Sequence, residues 1–135
     1  MNHVTRNKIL FIDSSDYELA RIALVGQQVI WHKFQTRDLS EKLLPEIKSF
    51  FKKQKAGFDQ ITKIAVVTGP GGFSRIRSAV AVANALAFAL KVPIAGINKT
   101  EVPKDMKNLK VLPMKKMVEP RYGKQPNITM SRSKF

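Results

Sequence analysis

Two short stretches hold the residue types from which phosphate or cation chemistry is built. Asp13-Ser14-Ser15-Asp16 follows a continuous apolar run, Lys8-Ile9-Leu10-Phe11-Ile12, so an acidic, hydroxyl-rich turn sits at the end of a buried strand. Such a turn is a familiar place for a phosphate or magnesium ligand. Thr68-Gly69-Pro70-Gly71-Gly72-Phe73-Ser74 follows a second apolar run, Ile64-Ala65-Val66-Val67, and precedes a long segment free of Gly and Pro. A strand, glycine loop and helix in that order bring backbone N–H groups and a helix N-terminus towards an anion. The candidate phosphate-binding residues are therefore Asp13, Ser14, Ser15, Gly69, Gly71 and Gly72. Each stretch also has a plainer reading, an Asx-type turn and a sharp βα connection needing positive φ. The loop lacks the Lys-Ser/Thr pair of a Walker P-loop, and on spacing alone the plainer reading is favoured.

The elements that must position these turns follow from hydrophobic period. Ile76 to Leu90 is predicted as a helix with Ser74 as its N-cap; from Ala79 to Leu90 every residue except Asn84 is apolar. No wide polar face is left for water, so this helix expects cover on two sides. Tyr17 to Val25 and Gln28 to Gln35 read as two strands around Gly26-Gln27, antiparallel to the first strand. Asp38 with Glu41 three residues on resembles a capping box, and Leu43, Leu44, Ile47, Phe50 and Phe51 fall at helical spacing after it. Pro45 is expected to kink that helix or mark its first regular turn, with Gly57 ending it. Ile94 to Asn98 reads as a short strand reached by a βαβ crossover. Beyond it, residues 99–135 carry ten Lys/Arg against three Asp/Glu and four prolines. That segment is expected to be a basic, extended, partly ordered tail that follows the surface of its own domain or of a tRNA-bearing complex rather than forming a separate core, and whose removal from Lys104 onward leaves the fold intact.

At 135 residues the chain fits one domain with a real core. Without cysteine, and with only His3 and His32, zinc or haem sites are disfavoured. The longest apolar stretch, around Val80 to Leu90, is too short to span a bilayer, and the first residues lack the pattern of a signal peptide, so a cytoplasmic protein is expected. A net charge of +14 suits a polyanion or an acidic partner.

Three motifs in order resemble one family. Ile9-Leu10-Phe11-Ile12-Asp13-Ser14-Ser15, Ser40-Glu41-Lys42-Leu43-Leu44-Pro45-Glu46-Ile47 and Gly69-Pro70-Gly71-Gly72-Phe73-Ser74-Arg75-Ile76-Arg77 are similar to the TsaB/YeaZ family. The similarity runs on through Ala85 to Leu90 and Val92 to Ile97, and covers about Lys8 to Asn98. The resemblance implies an α/β fold: a single ribonuclease H-like half-domain of the actin-like ATPase class (ASKHA), residues 1–98, with a mixed five-stranded sheet, two long helices and a basic tail, residues 99–135.

It further implies a glycoprotease-like, non-catalytic scaffold for the machinery that makes threonylcarbamoyladenosine in tRNA, with the catalytic subunit TsaD as partner. TsaE and, through the complex, tRNA are further partners, and a homodimer is implied when the chain is alone. No cofactor is implied beyond ATP or ADP at an interface with a partner. The family's two long helices pack against matching helices of TsaD or of a second copy. Carried over, that contact falls on Leu43, Leu44, Ile47, Phe50 and Phe51, and on Arg77, Val80, Ala83, Asn84 and Ala87 within residues 77–90.

Three departures accompany the resemblance. The chain passes from its last strand to Val118-Glu119-Pro120-Arg121-Tyr122, similar to the family's extreme C-terminal segment, so a short form without the second lobe is expected. Arg75 stands where a glycine is common in the loop, and Leu39 where a histidine is common before the Ser-Glu pair. Two other readings are an actin-like phosphotransferase using Asp13, Ser14 and the glycine loop, and a protein that binds tRNA directly through the basic tail.

Overall fold

The computed structural model describes residues 7–113 and 115–120. Its centre is a five-stranded sheet of order β3-β2-β1-β4-β5. β1 (Lys8–Asp13), β2 (Leu19–Val25) and β3 (Val29–Gln35) form an antiparallel meander. β4 (Ile61–Gly69) and β5 (Ile94–Asn98) join it in parallel, β4 beside β1. β1 and β4 are apolar on both faces because the sheet is covered on both sides, as in the parallel part of α/β proteins. β2 and β3 start two and one residues later than their hydropathy suggests, at Leu19 and Val29.

α1 (Leu39–Lys53) starts at the Asp38 cap, whose side chain accepts from the Glu41 N–H. It runs through Pro45 and ends at Gln54, short of Gly57, with Lys55 rather than a glycine at positive φ. α2 (Phe73–Leu90) begins earlier than its apolar run: Gly72 is the N-cap, and Ser74 lies inside the first turn with no capping role. Both helices pack on one sheet face, around Leu10, Ile12, Ile22, Ile64 and Val66. The expected short apolar stretch is thus part of an 18-residue helix that matches a bilayer span in length and composition. Its Ile76, Ala79, Val80, Ala83 and Ala87 are instead buried in the chain's own core.

On the second sheet face the tail follows its own domain, as expected, but as part of the core rather than as a dispensable extension. Short 3-10 turns at Lys99–Glu101 and Met106–Val111 lead the chain back across that face. Met106 and Leu109 fill the cluster formed by Ile9, Phe11, Ala23, Val25, Ala65, Val67 and Ile97. The segment continues past β5, where Lys115 and Ile94 exchange backbone hydrogen bonds of 2.7 and 2.8 Å. Val118 then joins the core beneath α2. Residues up to 120 therefore complete the domain that begins at β1, and charge excess was a poor guide because a few apolar residues in a basic segment suffice to cover a face. Residues 1–6 of the expected half-domain, and Arg121, Tyr122 and the rest of the tail, lie outside the described residues.

Candidate functional site

Chain topology brings both chemical stretches to one end of the sheet. β1 and β4 are adjacent and parallel, so the turn after Asp13 and the loop after Gly69 leave the same edge. Gly69 has φ 136°, a conformation that L side chains rarely adopt. Gly71 lies so close to the other turn that an added Cβ would sit 2.9 Å from the Ser15 Cα. Asp13, Ser14, Ser15, Gly69, Gly71 and Gly72 are thus clustered, and it is Gly71 that lets the two turns close-pack. The α2 N-terminus above them has no side-chain cap, which leaves its first N–H groups facing outward from the helix end.

The charges are distributed differently from a phosphate site. Asp13 is 4% exposed, and its Oδ1 accepts from the Ser15 N–H at 2.9 Å and the Ser15 hydroxyl at 2.6 Å. Its Oδ2 accepts from Lys99 Nζ at 2.7 Å and lies 3.6 Å from Arg21. Arg21 in turn pairs with Asp16 at 2.6 Å. Burial pushes the Asp13 carboxyl up, but hydrogen bonds from Lys99 and Ser15, with the Lys99 charge, outweigh it and hold the group below the usual carboxylate range. A hydrated divalent cation at Asp13 would first have to displace an ammonium already seated there. The residues do not fit a metal-assisted phosphotransferase, and no group of three or more His, Cys, Asp or Glu suited to a metal exists among the described residues.

Arg75 has a structural task at the same site. Its Nη1 donates to the Thr36 carbonyl at 2.6 Å and its Nε to the Ser14 carbonyl at 3.4 Å, while the Ser14 hydroxyl donates to the Arg75 carbonyl at 3.1 Å. One side chain therefore ties the β1 turn, the link into α1 and the start of α2 together. Burial draws the guanidinium below its ordinary value, opposed by the charge of Glu18. Arg75→Gly should lower stability by about 1–2 kcal/mol, since two carbonyl acceptors lose their charged donor. Chemical denaturation of both proteins checks this. Leu39, at the position where the family commonly has a histidine, is buried in the core.

The helix residues expected to meet a partner divide sharply. Leu43, Ile47, Phe50 and Phe51 of α1, and Val80, Ala83 and Ala87 of α2, are buried in the chain's own core, where a partner has no access to them. The physical reason is that α1 and α2 share one sheet face and fill it with their apolar stripes. Leu44 is half-buried, and the outward side of α1 is Glu41, Lys42, Pro45, Lys48 and Lys52, a solvated face. Asn84 also serves the chain itself: its amide donates to the Val118 carbonyl at 2.8 Å and accepts from the Val118 N–H at 2.9 Å. α2 is thus covered by the sheet and α1, and at Asn84 also by the segment carrying Val118.

Beyond its first turn, what α2 leaves exposed is Arg77, Ala81, Ala85 and Phe88, spaced for one helical face, with Ala89 beside them. Phe88 is 86% exposed, and Arg77 lies over the half-exposed Phe73 ring at 5.4 Å. Of the residues named from sequence only Arg77 belongs to this stripe. Helical spacing identified an apolar helix, but the period does not say which side the sheet takes when nearly every side is apolar.

Residues 32–113 match the family model described as TsaD: tRNA N6-adenosine threonylcarbamoyltransferase. Over 96 residues the chain is 30% identical to the tRNA threonylcarbamoyladenosine biosynthesis protein TsaB of Bacillus subtilis, covering 69% of this chain and 42% of that protein. Over 66 residues it is 38% identical to the tRNA N6-adenosine threonylcarbamoyltransferase of Nitrosospira multiformis, covering 49% of this chain and 19% of that protein. Among solved structures, YeaZ from Pseudomonas aeruginosa superposes with a TM-score of 0.63 at 28% identity, covering 68% of this chain and 44% of that one. The chain spans less than half the length of these relatives.

Proposed function

The chain belongs to the glycoprotease-like TsaB/YeaZ family, and on that premise we propose that it is a cytoplasmic, non-catalytic subunit of the threonylcarbamoyladenosine tRNA-modification machinery that docks on TsaD. The observation that carries this reading is the α2 stripe Arg77, Ala81, Ala85 and Phe88. Two exposed alanines let a partner helix approach closely, and an almost fully exposed phenylalanine at the end supplies the apolar anchor such a contact needs. A second copy of the chain takes the same face when TsaD is absent. Contact with tRNA through the complex, and with TsaE, belongs to the same reading.

The Asp13 turn supports the non-catalytic half of the proposal, because its carboxylate already serves Lys99 and Ser15. The isolated chain is expected to show no steady ATP hydrolysis, while its addition to TsaD raises threonylcarbamoyl transfer to tRNA. Steady ATP turnover that disappears in Asp13→Ala would support the phosphotransferase reading instead.

A further inference from the structure

The end of the sheet opposite the Asp13 turn, where β1 begins and the β2–β3 turn closes, carries two adjoining open grooves of about 300 and 550 Å3. Asn7 and Gln27 lie in both. Among the described residues every charged side chain in their walls is a lysine: Lys8 in the smaller groove, and Lys63, Lys107 and Lys110 in the larger. Among the described residues none of the four pairs with a carboxylate. Asp105, the acid nearest in sequence to Lys107, spends its carboxylate on the Lys107 backbone N–H at 3.0 Å. Lys63 Nζ donates to the Lys110 carbonyl at 2.8 Å, which fixes the turn carrying Lys107 and Lys110 against β4. Four amides line the smaller groove, Gln27, Gln28 and Gln60 beside Asn7, while the floor of the larger one is mostly apolar, with Ile9 and Val25.

We propose that this end of the sheet is an RNA-binding surface that engages the phosphate backbone. Ammonium groups spread over two neighbouring grooves suit successive phosphates better than a single small anion, which would need them convergent on one point. Side-chain amides between them donate to phosphate and sugar oxygens and to exposed base edges. The chain's overall +14 charge adds a long-range attraction of the same sign. The surface is separate from the α2 stripe, so RNA binding here and docking on TsaD stand or fall independently.

The test is fluorescence anisotropy of a labelled tRNA transcript with the full chain, titrated over a range of KCl. Lys107→Gln combined with Lys110→Gln should weaken binding roughly tenfold at the lowest salt and make the log–log salt slope shallower by about 2, one for each phosphate no longer neutralised. Lys52→Gln combined with Lys53→Gln, which removes the same charge from the exposed end of α1, should stay within about twofold of the parent. Equal losses in the two pairs, an unchanged affinity in the first, or displacement of the RNA by polyglutamate as readily as by unlabelled tRNA would overturn the proposal. A Lys8→Gln variant, changing the other groove, should add to the first pair; no further loss would overturn the claim that both grooves take part.

Discussion

A chain ending at Pro103 should fail to melt cooperatively, whereas one ending at Pro120 should keep the transition. Residues 104–120 carry Met106 and Leu109 into the second core cluster and Val118 into the first, where they are 5%, 0% and 8% exposed. They also hold both backbone bonds between Lys115 and Ile94 and both amide bonds from Asn84. Burying a Leu or Met side chain contributes about 1.5–3 kcal/mol, and removing both would expose the sheet face beneath them as well. Against a typical domain stability of about 5–15 kcal/mol, that loss consumes most of the margin. Leu109→Ala isolates the largest part and should cost about 2–5 kcal/mol in urea denaturation. A Pro103 chain that melts cooperatively within a few degrees of the Pro120 chain would show that this segment merely rests on the sheet.

Lys99→Met should destabilise the protein by about 2 kcal/mol at pH 7, and the deficit should shrink as the solution is acidified. In the parent, Asp13 has a folded pKa below its unfolded one, so its contribution is complete above the unfolded value, about 3.9, and lost as pH falls through the folded value. Replacing Lys99 removes the foremost of the influences that hold the carboxyl down, while its burial remains. The folded pKa of the variant is therefore higher, and its charged Asp13 costs most where the parent's gains most, at neutral pH. Below both pKa values the carboxyl is protonated in either protein and the difference narrows. Urea midpoints for both proteins at pH 4 and pH 7 decide this; a deficit of the same size at the two pH values would place the effect in packing rather than charge.

Lys99 marks the boundary of what could be read from the residues. The strands were legible because apolar runs ended at Asp13, Gly26 and Gly69, and α1 because the Asp38–Glu41 cap precedes a helical apolar period. The sequence named the Asp13 turn and the glycine loop as candidates, and the parallel pairing of β1 with β4 is what brings them to one edge. The Lys99–Asp13 bond spans 86 residues and obeys no spacing rule, so a lysine at the start of a basic tail looked like solvated charge. Asn84 was conspicuous as the one polar residue in an apolar helix, yet its partner is a backbone in a segment whose composition suggested no fixed place. The inward stripe of α2 was ambiguous for a related reason. Alanine and valine on all sides carry little amphipathic signal, and the sheet, α1 and the segment carrying Val118 together select the outward face.

The proposed docking on TsaD rests on that outward face. Sedimentation velocity of the full chain mixed with TsaD, with the parent and Ala85→Glu run side by side, tests it directly. Ala85 is exposed in the folded chain, so a glutamate there should change stability by no more than about 0.5 kcal/mol. At an interface it would bury an unpaired carboxylate and cost more than about 2 kcal/mol, roughly thirtyfold or more in affinity. The expected result is a complex of summed mass with the parent, none with Ala85→Glu at the same concentration, and an unchanged complex with Lys48→Glu on the solvated side of α1. A parent that does not associate with TsaD, or an Ala85→Glu chain that associates as well as the parent, would contradict docking through this face.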